Sequence, residues 1–330
     1  MMDFINTFAE IIRLSLFIAV PLIIVALAGL FSERSGVVNI ALEGIMVFGA
    51  VISAFIMGIL FENTGLGGQW LFIIGMIIAI SAGVLFSLLH AFASVNMKAN
   101  QVISGTALNI FAPAFGVFLA RAVFGVGKIS YPTREFFIRE VTIFGLDLSN
   151  IPILGPMFFT KTYITVFVGI LILIIAYLVL YKTKFGLRLR ACGEHPQAAD
   201  AAGVNVYKMR YAGVLISGGL AGLGGLFYIV PISSNYDPIY GVGGYGFLAL
   251  AVLISGQWKP GRIMLMALLF GFFAKLSNMT NLIPFLDKLD LSTETLRIIP
   301  FIVTLIVLML TSRNSAGPKA AGEPYDKGKR

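Results

Sequence analysis

The segment Tyr181–Arg210 reads YKTKFGLRLRACGEHPQAADAAGVNVYKMR and interrupts a chain that is otherwise strongly apolar. Apolar stretches flank it on both sides, Tyr163–Leu180 before it and Tyr211–Val230 after it. Its basic residues are Lys182, Lys184, Arg188, Arg190, Lys208 and Arg210. Short loops rich in Lys and Arg face the cytoplasm, so we expect the segment there. Its alanine-rich centre, GEHPQAADAAG, favours a short helix that docks another protein rather than a simple connection between two spans.

The composition identifies the class of protein. Of 330 residues, 58% are hydrophobic and 12% are charged, and the mean hydropathy is +0.92. Soluble domains carry about 25% charged residues, so this chain is predicted to be an all-α polytopic membrane protein. The net charge of +8 is attributed to membrane orientation and not to nucleic-acid binding, because the basic residues cluster at membrane edges and in the C-terminal tail, and no aromatic-and-basic pattern of the single-strand-binding kind occurs. Cys192 is the only cysteine, which excludes an internal disulfide and a thiolate metal cluster.

Apolar segments long enough to span a bilayer, about 20 residues each, number about nine. They are Ile11–Phe31, Ile45–Phe61, Trp70–Ser94, Val102–Phe124, Tyr163–Leu180, Tyr211–Val230, Tyr245–Gly256, Ile263–Leu282 and Leu296–Thr311. The segment Tyr245–Gly256 is short, and it is predicted to be either a broken or re-entrant half-helix or a span completed by Gln257 and Trp258. The N-terminus is interpreted as the first span and not as a cleaved signal peptide, because Asp3 and Glu10 stand where a basic region belongs.

The alternation of spans fixes the predicted orientation. With 181–210 inside, the N-terminus and the acidic Asp287–Glu294 loop lie outside, and the C-terminus is cytoplasmic. The loop Gly125–Lys161 also falls outside although it carries four basic residues, against the usual charge bias. It is predicted to hold a short amphipathic helix or hairpin around Phe136–Phe144. We expect one membrane domain over 1–312 and a disordered basic tail over 313–330.

Polar residues interrupt the apolar run LFSERSGVVNIALEGIMVFGA (Leu30–Ala50). An ionisable group at the bilayer centre costs about 2.5–3.5 kcal/mol on insertion scales, so such groups face protein or water. Ser35, Asn39 and Glu43 are therefore candidates to line a solute path through an interrupted helix. The alternative interpretation places Glu33, Arg34 and Glu43 in a short cytoplasmic turn.

The fourth predicted span opens with further polar residues. Asn100 is expected to cap the helix, since Asn is a favoured N-cap. Gln101, Ser104 and Asn109 are candidate pathway residues, and Asn109 lies deepest. The alternative for Asn109 is a hydrogen bond between helices.

Other motifs favour structure over catalysis. Gly218 and Gly222 form a small-xxx-small pair that lets two helices approach closely. His90 and His195 have no second ligand at metal spacing, so no metal site is expected. The stretch Ala122–Ser130, AVFGVGKIS, fails the phosphate-binding loop pattern at two positions. We predict no catalytic residues, no bound cofactor and no enzymatic activity of the chain itself.

With these residues identified, the chain resembles the permease subunits of bacterial ABC importers of the branched-chain amino acid and ribose type. Within that group it is most similar to the nucleoside permeases of the guanosine type, often labelled simple-sugar permeases. The resemblance extends from Ile11 to about Leu310. It rests on ERSGVVNIALEG (Glu33–Gly44), NQVISGTALN (Asn100–Asn109), GLRLRACGEHPQAADAAGVNV (Gly186–Val206), SGGLAGLGG (Ser217–Gly225) and GYGFLALAVLISGQWKPG (Gly244–Gly261).

This resemblance implies roles and partners. Glu33–Gly44 matches the start of the broken helix beside the translocation cavity. The matching coupling helix, which docks on the ATPase subunit, covers Gly193, Glu194, His195, Ala198, Asp200 and Gly203. Implied partners are an ABC ATPase that binds ATP and Mg²⁺, a second and longer permease, and an extracytoplasmic solute-binding lipoprotein. The implied location is the bacterial cell membrane, and the implied cargo is a small neutral solute.

Three alternatives remain at this stage. The solute of an ABC permease could be a free nucleobase, a pentose or another simple sugar instead of a nucleoside. A stand-alone secondary transporter or channel would require a relay of charged residues inside the spans. Apart from Glu43, the spans contain only Arg121 and Lys275, both near predicted ends. A membrane-embedded enzyme would need convergent acid, base or nucleophile groups, which we cannot assemble.

Overall fold

The computed structural model describes residues 2–143, 146–151, 154–276 and 317–328, and positions 302, 305, 306 and 309. Ten α-helices occupy most of this part of the chain. They are α1 (Met2–Arg34), α2 (Leu42–Thr64), α3 (Gly68–Ala91), α4 (Gln101–Phe124), α5 (Ile164–Lys182), α6 (Lys184–Glu194), α7 (Pro196–Ala201), α8 (Val206–Ile229), α9 (Tyr245–Ser255) and α10 (Pro260–Leu276). A π-helical turn, Phe92–Asn96, extends α3.

Among the described residues, seven helical segments are long and apolar enough to cross a membrane. They are Phe8–Arg34, Leu42–Thr64, Gly68–Asn96, Gln101–Phe124, Ile164–Lys182, Val206–Ile229 and Pro238–Ser255. The helical membrane fold is therefore confirmed, but nine spans are not. Helix α10 has 17 residues, and the rest of the predicted Ile263–Leu282 span lies outside the described residues. So do the Asp287–Glu294 loop and most of Leu296–Thr311.

Close packing places α1 and α8 at the centre of the bundle. Helix α8 packs against α1, α2 and α3, and most of both α1 and α8 is buried. Glycine makes this approach possible, as the pair Gly218 and Gly222 predicts. A Cβ on Gly222 would lie 2.3 Å from the Ala79 carbonyl oxygen of α3, and one on Gly49 of α2 would lie 2.4 Å from Gly222 Cα. In a bilayer such close contact replaces the hydrophobic effect as the source of helix association.

Short antiparallel strand pairs gather at one end of the bundle, which we call the hairpin end. Their bounds are β1 (Ile129–Ser130), β2 (Phe137–Glu140), β3 (Thr142–Ile143), β4 (Leu146–Asp147), β5 (Thr160–Tyr163) and β6 (Asn235–Tyr236). The pairs are β1 with β6, β2 with β5, and β3 with β4. The sequence predicts either a short amphipathic helix or a hairpin in the 125–161 loop. The structure contains hairpin-like strand pairs there.

The opposite end, which we call the basic end, carries α6 and α7. The Thr183 hydroxyl caps α6 by accepting a hydrogen bond from Gly186 N at 3.1 Å. Pro196 begins α7, a position where the missing N–H of proline costs nothing. Gly203 ends the turn after α7 in a left-handed conformation with φ +82°, which glycine adopts without a steric penalty. The predicted short helix in the alanine-rich centre is thus present.

Candidate functional site

The interruption between α1 and α2 is the central feature of the site. Residues 35–41 are not α-helical, yet several of them are fully buried. Buried backbone groups need hydrogen-bond partners, and the bilayer supplies none. The Ser35 hydroxyl donates to the Ser32 carbonyl at 2.6 Å, and Gly36 turns the chain with φ +96°. Ser35, a candidate pathway residue, is thereby fixed within the turn.

Helix α4 supplies partners to the rest of the break. The Gln101 amide oxygen accepts from Val38 N at 2.7 Å. Asn109 bridges both sides of the break, because its amide oxygen accepts from Gly44 N at 2.7 Å and its amide nitrogen donates to the Ile40 carbonyl at 2.9 Å. The structure therefore gives Asn109 the hydrogen-bonding role that was the alternative to a solute contact. Contact with solute remains a prediction.

A histidine from α3 also supplies a hydrogen-bond partner to the break. Nε2 of His90 lies 3.1 Å from the Val38 carbonyl, and Nδ1 lies 3.1 Å from the Ser104 hydroxyl. Since a carbonyl only accepts, we assign the proton to Nε2, and Nδ1 accepts from Ser104. His90 is completely buried. Ser104, like Gln101, is thus linked to the break. Asn100, as predicted, caps α4 by accepting from Val102 N at 2.9 Å.

Asn39 lies at the middle of the break and faces α8. Its amide nitrogen donates to the Ser217 hydroxyl at 2.9 Å, and its side chain is completely buried. Its amide oxygen has no hydrogen-bond partner among the described residues. A buried, half-satisfied amide is costly, and Gln101 is in the same condition, because its buried amide nitrogen also has no partner among the described residues.

Glu43 joins the break to α9. One carboxylate oxygen accepts from Gly244 N at 2.9 Å and the other accepts from Gly246 N at 2.6 Å. These amides belong to the start of α9, whose first N–H groups lack partners inside the helix. A carboxylate is favoured at this position by the helix dipole. Glu43 is therefore the N-terminal cap of the short helix that the sequence predicts to be broken or re-entrant.

At the basic end, the break is connected to the 181–210 segment. Arg34, the last residue of α1, pairs with Glu194 of α6 at 3.1 Å and donates to the Trp258 carbonyl at 3.4 Å. The Trp258 indole donates to Glu33 at 2.5 Å. A Cβ on Gly193 would lie 2.5 Å from the Arg34 carbonyl oxygen. The end of α6 is thus held directly against the residues that precede the break.

The surface beyond these contacts is open. Glu194, His195, Ala198 and Gly203 are exposed and Asp200 is half-buried, while Pro196 and Ala199 face inward. The six predicted coupling residues therefore lie around α7, with Gly193 buried beneath it. A short exposed helix is thus joined to the end of α1 through the pair Glu194 and Arg34.

Comparison with known proteins identifies the family. Residues 11–308 match the model of the branched-chain amino acid transport system permease component. The chain belongs to this permease family. The nucleoside ABC transporter permease protein NupC of Lactococcus lactis is 42% identical over 330 residues, 99% of this chain and 100% of the relative. The guanosine ABC transporter permease protein NupQ of Bacillus subtilis is 40% identical, with 100% of both chains covered. No solved structure matches the chain.

A more distant similarity involves a second permease type. The nucleoside ABC transporter permease protein NupB of Lactococcus lactis is 25% identical to this permease over 254 residues, 76% of this chain and 67% of the relative. Lactococcus lactis therefore contains two relatives of this permease, one similar over its full length and one over part of its length. The relatives are transport subunits and not enzymes, in agreement with the sequence-based expectation.

The C-terminal tail of the permease differs from the prediction. We expected disorder over 313–330, but residues 317–328 lie against the basic end. Ala320 N donates to the Gly193 carbonyl at 2.9 Å, and Gly322 N donates to the Gly36 carbonyl at 3.2 Å. Tyr325 is only 4% exposed and packs near Cys192 and Ala199. The polar composition concealed these partners, because a single buried tyrosine and a few backbone bonds hold the segment.

Buried Arg210 anchors the same tail and was missed as a functional candidate. Its side chain is 1% exposed and donates to the Glu323 carbonyl at 2.8 Å. Its guanidinium carbon lies 5.9 Å from the centre of the Tyr325 ring. A Cβ on Gly36 would lie 2.9 Å from its Nη2, so the glycine leaves room for it. The sequence shows Arg210 only as one more basic residue of the 181–210 segment.

A cavity of about 230 Å³ opens at the hairpin end of the permease. Tyrosines form much of its wall. Its lining comprises Tyr131, Tyr228, Ile229, Ile232, Ser233, Asn235, Tyr236, Asp237, Tyr240, Gly241 and Gly243. None of the six predicted pathway residues is among them. Sequence reasoning missed this site because its tyrosines are far apart in the chain and carry no motif.

Proposed function

We propose that this chain is one membrane subunit of an ATP-driven importer of nucleosides, and that α7 couples it to a separate ABC ATPase. The observation that carries the proposal is the link from α7 through Glu194 and Arg34 to the break between α1 and α2. It supplies a continuous connection between an exposed docking helix and buried irregular backbone. The family membership and the full-length similarity to NupC and NupQ support the transport role.

The proposed orientation puts the basic end in the cytoplasm. The basic residues of 181–210 favour this side, and the ATPase must reach α7 from the compartment that contains ATP. The hairpin end then faces the extracytoplasmic binding lipoprotein. The C-terminal segment 317–328, which contacts α6 and α7, is on the cytoplasmic side in this arrangement.

The mechanism follows from the strength of the contacts. The Glu194 side chain is 45% exposed, whereas that of Arg34 is 14% exposed. Because water reaches the carboxylate and an exposed ion pair contributes only about 0–1 kcal/mol, the pair Arg34–Glu194 can break and reform within one transport cycle. Trp258 and Glu33 form the buried part of the same junction. Movement of α7, driven by ATP and Mg²⁺ in the partner, would displace the end of α1 and thereby the break. This chain supplies the path and holds no nucleotide itself.

The nucleoside is assigned as cargo from similarity and chemistry together. NupC and NupQ are named for nucleosides and guanosine, and the resemblance of the motifs implies a small neutral solute. A second permease subunit is proposed because NupB, a more distant relative, is also named a nucleoside permease. The complete importer would contain both permeases, the ATPase and the lipoprotein.

Cross-linking tests the docking of the ATPase. We expect Ala198→Cys, in a Cys192→Ser background, to cross-link to the ATPase subunit in purified complex. Ile232→Cys at the hairpin end is the matched control and is expected to form no such product. A cross-link from position 232 and none from position 198 would contradict the proposal.

Gly203 tests the coupling. Its φ of +82° disfavours β-branched residues, whereas asparagine tolerates this region. Gly203→Val is expected to reduce nucleoside uptake at least tenfold with normal membrane insertion, and Gly203→Asn is expected to retain most of it. Gly261→Ala, where a Cβ meets no atom within 4 Å, is the neutral control. Full uptake by Gly203→Val would remove α7 from the coupling mechanism.

A further inference from the structure

The cavity at the hairpin end concentrates aromatic residues in one place. Four of the 11 tyrosines of the chain, Tyr131, Tyr228, Tyr236 and Tyr240, line a volume of about 230 Å³. They come from the end of α8, from the segment before α9 and from the strand region after α4. Such convergence of distant segments on one concave surface is typical of a binding site.

Two of the tyrosines form fixed walls. The Tyr131 hydroxyl donates to the Ile229 carbonyl at 3.0 Å, and the Tyr236 hydroxyl donates to the Gly241 carbonyl at 3.2 Å. Pairing of Ile129 with Tyr236 across β1 and β6 holds the two segments together. Burial raises the pKa of both hydroxyls above the ordinary value, so the walls stay neutral. Hydrogen bonds within the chain therefore fix these two walls of the cavity.

The other two tyrosines, Tyr228 and Tyr240, also line the cavity. Tyr240 is 78% exposed and lies at the mouth. The Tyr228 ring is 4.4 Å from the Tyr245 ring, centre to centre. Gly243, with φ +64°, faces Tyr228, and a Cβ on it would lie 3.0 Å from the Tyr228 hydroxyl. A side chain at position 243 would narrow the cavity beside that hydroxyl.

Charge selects the class of ligand. Asp237 is the one ionisable acid or base among the lining residues apart from the tyrosines, and no Lys or Arg lines the cavity. A phosphate group would meet only this carboxylate and would be repelled. One Asp237 oxygen accepts from Ile239 N at 3.1 Å, and the other can accept from a ligand hydroxyl. Asn235 and Ser233 add further polar groups at the rim.

We propose that this cavity receives the neutral base of a nucleoside, stacked on Tyr240 and Tyr228, with the ribose hydroxyls directed to Asp237 and Asn235. The inference rests on the proposed function and adds where the solute is first held and which part of it is recognised. Bases of any sequence stack on aromatic side chains, so the site tolerates different nucleosides. It rejects nucleotides by charge, and it binds free pentose weakly because a sugar offers no flat ring.

The position of the cavity connects it to the break. A Cβ on Gly241 would lie 4.0 Å from the Glu43 carboxylate, which also holds Gly244 and Gly246. Gly241, which lines the cavity, therefore lies next to Glu43 at the start of α2. From Glu43 to Gly58, next to the Ser130 carbonyl at the hairpin end, α2 rises about 22 Å.

Cysteine protection tests this inference. Burial raises the pKa of Cys192 to about 11, and its side chain is completely buried, so the native cysteine gives little background; we nevertheless use Cys192→Ser. Ile232→Cys places a thiol in the cavity at a position that is 62% exposed. The labelling rate with a maleimide is measured on the purified permease–ATPase complex in detergent, which makes the test independent of orientation and of ATP hydrolysis.

We expect millimolar inosine to slow labelling at position 232 at least threefold, and inosine monophosphate and ribose to slow it much less. Tyr240→Leu is expected to weaken the protection about tenfold, as loss of one stacking ring predicts, while Tyr240→Phe keeps it. The matched control is Tyr177→Leu on α5, another exposed tyrosine, which is expected to leave protection unchanged. Protection by the monophosphate or by ribose equal to that by inosine would overturn the proposal.

Absence of any protection by inosine would also overturn it. Because labelling requires no transport, this failure is separable from failure of the proposed function. An importer that accumulates nucleosides but shows no protection at position 232 would retain the function and lose the site. Protection at position 232 without any nucleoside uptake would retain the site and lose the proposed function.

Discussion

At the scale of single residues, Glu43 holds two elements together. Its two oxygens satisfy Gly244 N and Gly246 N, which lack partners within α9. Glu43→Ala removes both acceptors and is expected to lower the stability of the permease by about 1–3 kcal/mol. Glu43→Gln keeps one acceptor oxygen and is expected to cost less. The measurement is thermal unfolding of the purified protein in detergent.

The same pair of variants separates a cap from a solute contact. If Glu43 acts as the cap, the melting temperatures follow the order wild type, Gln, Ala. A solute contact alone would leave the melting temperatures equal and would change only the concentration dependence of uptake. Equal melting temperatures for all three proteins would therefore contradict the capping role.

At the scale of elements, glycine determines how closely α8 approaches α3. A Cβ on Gly222 would meet backbone at 2.3 Å, whereas one on Gly219 would meet the side-chain methyl groups of Val84 and Ile80 at 3.2 and 3.3 Å. Backbone cannot yield as a side chain does, so Gly222→Ala is expected to cost about 1–3 kcal/mol by overpacking. Gly219→Ala, on the same helix, is expected to cost less than 1 kcal/mol. Denaturation in mixed micelles measures both variants.

The interpretation would fail if the two glycine variants were equally stable. That result would mean that α3 and α8 separate freely in the bilayer, contrary to an interface held by close packing.

The tail is an element of its own, and it covers α6 and α7. Tyr325 packs against Tyr207 and Ala199. Burial of an aromatic side chain contributes about 1.5–3 kcal/mol. We expect Tyr325→Ala to accelerate hydrogen exchange at the amides of α7 several-fold, with no change in α2. The measurement is hydrogen–deuterium exchange read by mass spectrometry.

Lys98 provides the matched control for the tail. It pairs with Asp326 at 3.0 Å, and both side chains are about 40% exposed, so the pair contributes about 0–1 kcal/mol. Lys98→Gln is expected to leave exchange in α7 nearly unchanged. Equal acceleration by both variants would show that charge, and not burial of Tyr325, holds the tail.

At the scale of the whole molecule, the sequence predicts what local physics dictates. Hydropathy predicts α1 to α5 and α8, Asn100 is predicted as a cap, and the alanine-rich centre is predicted as a helix. These features depend on neighbours within a few turns. The sequence does not predict the Glu43 cap, the Arg210 anchor or the tyrosine cavity, because these bring together residues up to about 200 positions apart. The packing of the C-terminal segment against the basic end likewise depends on residues that are far apart in the chain.

The predicted pathway residues of the fourth span make hydrogen bonds that the sequence does not show. Gln101, Ser104 and Asn109 are placed together at the break, as their polarity in an apolar span suggests. Their bonds to Val38, His90, Ile40 and Gly44 serve the backbone of the break. Sequence alone cannot tell whether a buried amide serves backbone or solute, since both require the same donors and acceptors.

The central claim is that this chain is driven by a separate ATPase acting on the basic end. The most direct measurement is uptake of tritiated guanosine into right-side-out membrane vesicles that contain the permeases and the lipoprotein, with and without the ATPase subunit and with and without ATP inside the vesicles. The account predicts accumulation against a gradient only when both ATPase and ATP are present. Accumulation of guanosine in vesicles that lack the ATPase would contradict it.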